Sequence, residues 1–304
     1  VKVLQIENLS KSFGDKKVLK DVSFDVNNSE IVGFLGKNGA GKSTTMKIIC
    51  GLLSADSGRV EICGHDIKRD RVEALKSMGV SIEAPALYDN LTGRENLKLM
   101  ANWRSVDDKR VKEMEEYSRL GHNLNRLVKG YSMGMKMRLM LAMVLMAKPK
   151  LLILDEPMNG LDPDGVFELR EEMKKLKDDG CSILFSSHQL AEVEKISDRI
   201  VMIENGQVVY NDKFSDNILS EDTYNIVTDD LEKTKKVLEK LNISYRDSYN
   251  RNDEKCLNVN IPKGSLDTYI ENIKKENIAI NDIDRVHKTL EELYKELRKE
   301  TASL

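Results

Sequence analysis

Eight consecutive residues, Gly36-Lys37-Asn38-Gly39-Ala40-Gly41-Lys42-Ser43, constrain this chain more than any other feature. They follow a short apolar run, Ile31-Val32-Gly33-Phe34-Leu35, and precede a segment in which Met46, Ile49 and Leu53 recur at helical spacing. A strand, a G-x-x-x-x-G-K-[ST] turn and a helix, in that order, make a loop whose backbone N–H groups close around phosphate. Glycine is needed where a side chain would collide with the anion, and the helix start adds positive field. In such a loop Lys42 reaches the β/γ-phosphates of a nucleotide and the Ser43 hydroxyl ligates Mg²⁺. Gly36, Asn38, Gly39, Ala40, Gly41, Lys42, Ser43 and Thr44 are therefore the candidate phosphate contacts.

A second run, Leu151-Leu152-Ile153-Leu154-Asp155-Glu156-Pro157, reads as a strand buried on both faces that ends in two carboxylates. Sites of open α/β sheets lie at this end of the strands. Asp155 is then placed to meet the Mg²⁺ held by Ser43, and Glu156 to polarise an attacking water. His188 directly follows the apolar run Cys181–Ser186, which is expected to end on the same edge. From there it would reach the γ-phosphate or the water. His65, His122 and His287 carry no such context and read as structural.

The chain has 304 residues, 33% of them charged and 40% hydrophobic, with a net charge of −3. That balance suits a globular protein with a full core and argues against a nucleic-acid partner, whose binding domain is normally basic. Cys50, Cys63, Cys181 and Cys256 are scattered without a CxxC pair, so reduced structural thiols are expected rather than a zinc site. The most apolar segment, Leu139 to Ala147, is bracketed by Arg138 and Lys148 and is too short to cross a bilayer. Val1-Lys2-Val3-Leu4 lacks the apolar core of a signal peptide. Any membrane role is thus expected to come through docking to another chain.

The fold expected is α/β. Residues 1–30 read as β-structure, with alternation at Val22, Phe24 and Val26. Residues from about 87 to 148 read as an inserted helical subdomain, with Trp103, Val106, Val111 and Met114 as its apolar positions. Met133, Met135, Met137, Met140, Met143 and Met146 suggest adaptable core packing there. Strands return at Leu151–Leu154, Cys181–Ser186 and Ile200–Ile203, and Asn205-Gly206 turns the last into Gln207–Tyr210. Beyond about residue 215 the composition shifts. Helices at 231–241, 266–276 and 287–299 alternate with strands near Tyr224–Thr228 and Cys256–Ile261, which predicts a small α+β appendage over 216–304.

Taken together, residues 2 to about 215 resemble the nucleotide-binding domain of ABC transporters, a P-loop NTPase core with an N-terminal antiparallel β-subdomain. The resemblance makes 1–215 the nucleotide unit. Asn159-Gly160-Leu161-Asp162-Pro163 looks like the family's D-loop, and Ser187-His188 like its switch histidine. Phe13, before Gly14, resembles the aromatic that stacks on adenine. Tyr131-Ser132-Met133-Gly134-Met135 stands where the family usually has Leu-Ser-Gly-Gly-Gln. The resemblance implies that Ser132, Gly134 and the start of a helix over 135–147 cap the γ-phosphate of a nucleotide held by a second subunit, and it counts Asp162 of the D-loop among the nucleotide-binding residues. Ile82-Glu83-Ala84-Pro85 places Glu83 where the family usually has the Q-loop glutamine, and a carboxylate there would ligate Mg²⁺ directly or through water.

Glu83 and the stretch Tyr131 to Lys136 are similar to one subset of the family, the ATPase subunits of bacitracin-resistance and lantibiotic-immunity transporters. Met137 departs from that subset, where a glutamine is usual. The resemblance implies an ATPase that binds ATP and Mg²⁺, pairs as a homodimer and energises a separate permease from the cytoplasmic side of the membrane. The exported molecule implied is an antimicrobial peptide. Ala86, Leu87 and Tyr88 are the expected permease-docking residues. A GTPase would carry an Asn-Lys-x-Asp guanine reader, which is missing. A non-transport ABC ATPase, or an exporter ATPase for an unrelated substrate, remains the alternative.

Overall fold

Alternation of apolar and polar residues builds the first sheet. The computed structural model describes residues 1–82, 86–213, 221–250, 252–286 and 290–295. Strands β1 (Lys2–Phe13) and β2 (Lys16–Asn27) pair antiparallel around a turn in which Gly14 takes φ +55°. With β4 (Ser57–Ile62) and β5 (His65–Asp66) they form a sheet of order β2-β1-β4-β5. Its buried residues, among them Leu4, Ile6, Val22 and Phe24, join one core with Phe34, Met46, Ile49 and Val201.

That core is shared with a second sheet, built from β3 (Ile31–Leu35), β6 (Met78–Ser81), β7 (Leu151–Leu154), β8 (Ser182–Ser187), β9 (Arg199–Glu204) and β10 (Gln207–Asp212). Its order is β10-β9-β3-β8-β7-β6, parallel throughout except where β10 returns along β9. Every residue of β3, β7 and β8 is buried, as expected for parallel strands covered on both faces. Asn205 and Gly206 both have positive φ, the geometry a two-residue hairpin turn needs. Helix α1 (Lys42–Ile49) follows β3. Leu53 lies past its end, so the helical face expected from Met46, Ile49 and Leu53 is cut short, although Leu53 still packs on the core. The short α2 (Arg71–Lys76) leads into β6.

Between β6 and β7 the chain forms α3 (Gly93–Arg104), α4 (Asp108–Tyr117) and α5 (Met133–Val144). Thr92 and Glu95 make a reciprocal capping box at the start of α3. Met137, Met140, Met143 and Met146 are buried, as core packing requires, whereas Met133 is exposed. Val111 and Met114 are buried, whereas Trp103, in α3, is 60% exposed. Helices α6 (Pro163–Asp178) and α7 (Leu190–Ile196) complete the unit Val1–Phe214.

The second unit, Ser215–Leu304, has its own core. It runs β11 (Glu221–Thr228), α8 (Leu231–Lys240), β12 (Tyr245–Tyr249), β13 (Lys255–Pro262), α9 (Leu266–Lys275) and β14 (Ile280–Val286). The antiparallel sheet has the order β12-β13-β11-β14, a split β-α-β arrangement. Val237, Leu238, Tyr269 and Ile273 pack in one core with Ile226, Leu257, Val259 and Ile261. The sequence reading missed β12 and β14 because both are edge strands, where only one side is paired and polar residues are tolerated. His287 and most of the expected helix over 287–299 lie outside the described residues; 290–295 are helical.

Candidate phosphate-binding and hydrolytic site

The carboxyl end of β3 delivers the glycine loop into the edge of the parallel sheet. A Cβ at Gly36 would stand 2.5 Å from the Ile203 carbonyl oxygen, and one at Gly41, with φ +116°, 2.5 Å from Leu19 Cδ2. The neighbouring strands therefore leave no room for side chains there. Gly39 also has a positive φ, +82°, but faces open space. Helix α1 starts with no side-chain cap and no acidic residue in its first turn, so nothing anionic from its own sequence occupies its positive end.

Lys42 is only 6% exposed, and its ammonium donates to the carbonyl oxygens of Gly36 at 2.6 Å and Lys37 at 3.3 Å. It thus curls over the loop that precedes it. Ser43 is exposed and Thr44 half-buried, while the buried Thr45 donates its hydroxyl to the Gly41 carbonyl at 2.9 Å. Thr45 is a helix-internal contact that the motif alone does not reveal.

On the next strands, Asp155 and Glu156 follow β7, and β7 pairs in register with β8. Asp155 is 6% exposed and its N–H donates to the Ser81 carbonyl at 2.8 Å, tying it to β6. Glu156 takes φ +50°, a left-handed conformation that is unfavourable for a residue with a side chain. His188 Nδ1 lies 2.8 Å from Glu156 Oε2, and the His188 backbone N–H donates to the same oxygen at 3.3 Å. Lys42 Nζ is 3.9 Å from the other carboxylate oxygen, Oε1. Three segments far apart in the chain, carrying Lys42, the pair Asp155-Glu156 and His188, thus come together at the carboxyl ends of the parallel strands. The sequence reading aimed His188 at phosphate or water; in this structure its partner is Glu156.

Ser186 was not anticipated. Its hydroxyl bonds Asp155 Oδ1 and accepts the Glu156 N–H at 2.8 Å. The one signal in the sequence is the pair Ser186-Ser187 ending a strand whose centre, Ile183 to Phe185, is apolar. Cys50, in the same core, has its thiol pushed up to about 12 by burial, with the Asp155 charge adding, so it stays protonated and inert.

The remaining candidates lie elsewhere on the first unit. Phe13 ends β1 half-exposed at 50%, with Lys11 Nζ 5.5 Å from its ring centre. Asp56 accepts the Ser12 N–H at 2.6 Å and Lys11 Nζ at 2.8 Å, which fixes that strand end. Ser132 is the N-cap of α5, its hydroxyl accepting the Met135 N–H at 3.3 Å, and Gly134 lies in the first turn. The helix begins at Met133, two residues before the expected start, because the serine side chain caps it, and it ends at Val144. Asp162 caps α6 through the Gly165 N–H at 2.9 Å. Glu83 lies outside the described residues. Ala86 and Tyr88 are exposed, and the Tyr88 ring meets Trp103 edge-on at 6.2 Å.

Residues 19–159 match the family model for ABC transporters. Over 98% of this chain and 97% of the relative, it is 34% identical to an uncharacterised ABC transporter ATP-binding protein, YhcH, of Bacillus subtilis. It is 39% identical to the lantibiotic transport ATP-binding protein SrtF of Streptococcus pyogenes, over 73% of this chain and 96% of that one. The bacitracin transport ATP-binding protein BcrA of Bacillus licheniformis is also 39% identical, over 68% of each chain. Among solved structures, an ATP-binding subunit of an ABC transporter superposes with a TM-score of 0.65 at 33% identity, covering 70% of this chain and 91% of that one.

Proposed function

Given that the chain belongs to the ABC transporter family as an ATP-binding, ATP-hydrolysing subunit, we propose that it powers a separate permease that expels an antimicrobial peptide of the bacitracin or lantibiotic type. The observation that carries the catalytic half of this reading is the Glu156 carboxylate, set between Lys42 at 3.9 Å and His188 at 2.8 Å. The substrate half rests on the relatives named for lantibiotic and bacitracin transport.

In this reading the loop amides of Gly36 to Gly41, with Lys42, Ser43 and Thr44, grip the triphosphate, and Phe13 stacks on adenine. The donor set suits Mg²⁺, which binds through one or two carboxylates together with phosphate oxygens: Ser43 and Asp155 hold it, with Glu83 as a third candidate. When bound, that ion neutralises charge developing on the phosphoryl oxygens. Glu156 accepts the proton of the attacking water, and His188 fixes the direction of that carboxylate.

ABC subunits of transporters work in pairs beside a permease. For this chain we assign a homodimer in head-to-tail arrangement. Ser132, Gly134 and the amino end of α5 from one copy cap the γ-phosphate held by the other, and Asp162 shapes the same junction. No helix among the described residues is long and apolar enough to cross a membrane, so the unit would sit on the cytoplasmic face through its permease. The exposed Tyr88–Trp103 pair is the docking surface we assign to that partner.

The test is to express the chain with the permease encoded beside it in a sensitive bacterium and to measure survival against bacitracin and lantibiotics. Protection is expected for the wild type and none for Glu156→Gln. Equal sensitivity with and without the pair, while the purified chain hydrolyses ATP, would reject the peptide assignment and leave the ATPase standing.

A further inference from the structure

We propose that Ser186 is a positioning residue of the hydrolytic site, one hydroxyl that orients the Asp155 carboxylate and the Glu156 backbone together. The proposal rests on the ATPase reading of the same site and assigns a role that neither sequence motif supplies.

Ser186 is fully buried near the end of β8. The direction of its two bonds is forced by chemistry. The Glu156 N–H can only donate, at 2.8 Å, so the serine oxygen accepts it. An ionised Asp155 can only accept, so the serine proton points at Oδ1. With Oδ1 committed to the hydroxyl, Oδ2 is the oxygen that remains to face a cation. The same hydroxyl holds the amide of a residue at φ +50°, and that unusual turn is what swings the Glu156 carboxylate towards Lys42 and His188.

The other serines of this strand do different work. Ser182 accepts the Ser29 N–H at 3.0 Å, and Ser187 accepts the Gln189 N–H at 3.0 Å. Of these three serines, Ser186 is the one whose hydroxyl bonds both members of the acidic pair. Removing its hydroxyl would leave a carboxylate that is 6% exposed without this donor, and the Glu156 amide without its acceptor. Threonine keeps the hydroxyl and suits a strand, whereas cysteine keeps the shape but donates weakly.

The experiment compares the full chain with Ser186→Ala, Ser186→Thr and Ser186→Cys. ADP affinity is measured by calorimetry in EDTA and again with Mg²⁺, beside kcat and the Mg²⁺ dependence of turnover. In Ser186→Ala and Ser186→Cys, affinity in EDTA should match the wild type, while the gain conferred by Mg²⁺ falls about tenfold and kcat falls between about tenfold and a hundredfold. Ser186→Thr should restore both. If the alanine variant fails to fold, the cysteine variant carries the comparison. A wild-type Mg²⁺ gain in either variant lacking the hydroxyl would overturn the role, and so would an equal loss of affinity with and without the metal. A wild-type chain that gains nothing from Mg²⁺ would instead bring down the reading of the whole site.

Discussion

His188 and Glu156 face each other across the carboxyl ends of neighbouring strands, imidazole Nδ1 2.8 Å from carboxylate Oε2, while Lys42 approaches the opposite oxygen at 3.9 Å. The carboxylate accepts from the ring nitrogen, so the contact fixes the glutamate's direction without removing its charge. A group held this way can turn to water with little loss of order.

Glu156→Gln keeps the size and the hydrogen-bonding reach of the side chain and removes its basicity. ATP affinity should stay within about threefold of the wild type, while turnover falls by about a hundredfold or more, the range general-base catalysis supplies. Nucleotide binding and phosphate release measured on the same preparation separate the two effects. Unchanged turnover would remove Glu156 from the chemistry.

Phe13 stands half-exposed, its strand end fixed through Asp56 and the Ser12 N–H. Loss of a stacked ring is worth about 1–3 kcal/mol, or between about fivefold and a hundredfold in affinity. Phe13→Ala should therefore raise KM for ATP about tenfold and leave kcat nearly unchanged, and Phe13→Tyr should restore it. A fall in kcat at constant KM would argue against a base platform.

Arg199 and Glu30 make a buried two-point ion pair, at 2.8 and 3.0 Å, that joins the start of β9 to the turn before β3. Burial alone would push the Glu30 carboxyl up; the Arg199 guanidinium and the Asn27 N–H outweigh it and hold the group below its ordinary value of 4.5. The carboxyl is thus a stronger acid folded than unfolded. Its contribution is complete above the unfolded value and disappears as pH falls through the lower, folded one. Glu30→Gln should cost about 3 kcal/mol at pH 7, because it leaves a buried guanidinium underpaired. That difference should shrink below about pH 4, as urea unfolding at both pH values would reveal. A constant difference would show that the pair does not carry the acid sensitivity.

Much of the first unit was legible because its signals are local. The glycine spacing from Gly36 to Gly41 lies within one short motif, and four apolar residues in a row at Leu151–Leu154 announce a strand covered on both sides. The helical insertion showed its extent, although the amino end of α5 was placed two residues late because the Ser132 cap was not recognised.

Chemistry read along the chain is enough to nominate candidate phosphate-loop residues and a pair of acids, since each depends on residues adjacent in sequence. Which atoms meet was decided by pairing β7 with β8, a contact between residues about thirty positions apart. That pairing turns His188 to Glu156 and slips the Ser186 hydroxyl between two carboxylate-bearing residues. The edge strands β12 and β14 followed the same rule, becoming strands through partners rather than composition. Backbone preferences act over a few residues, whereas hydrogen bonds across a sheet exist only once distant segments have packed in register.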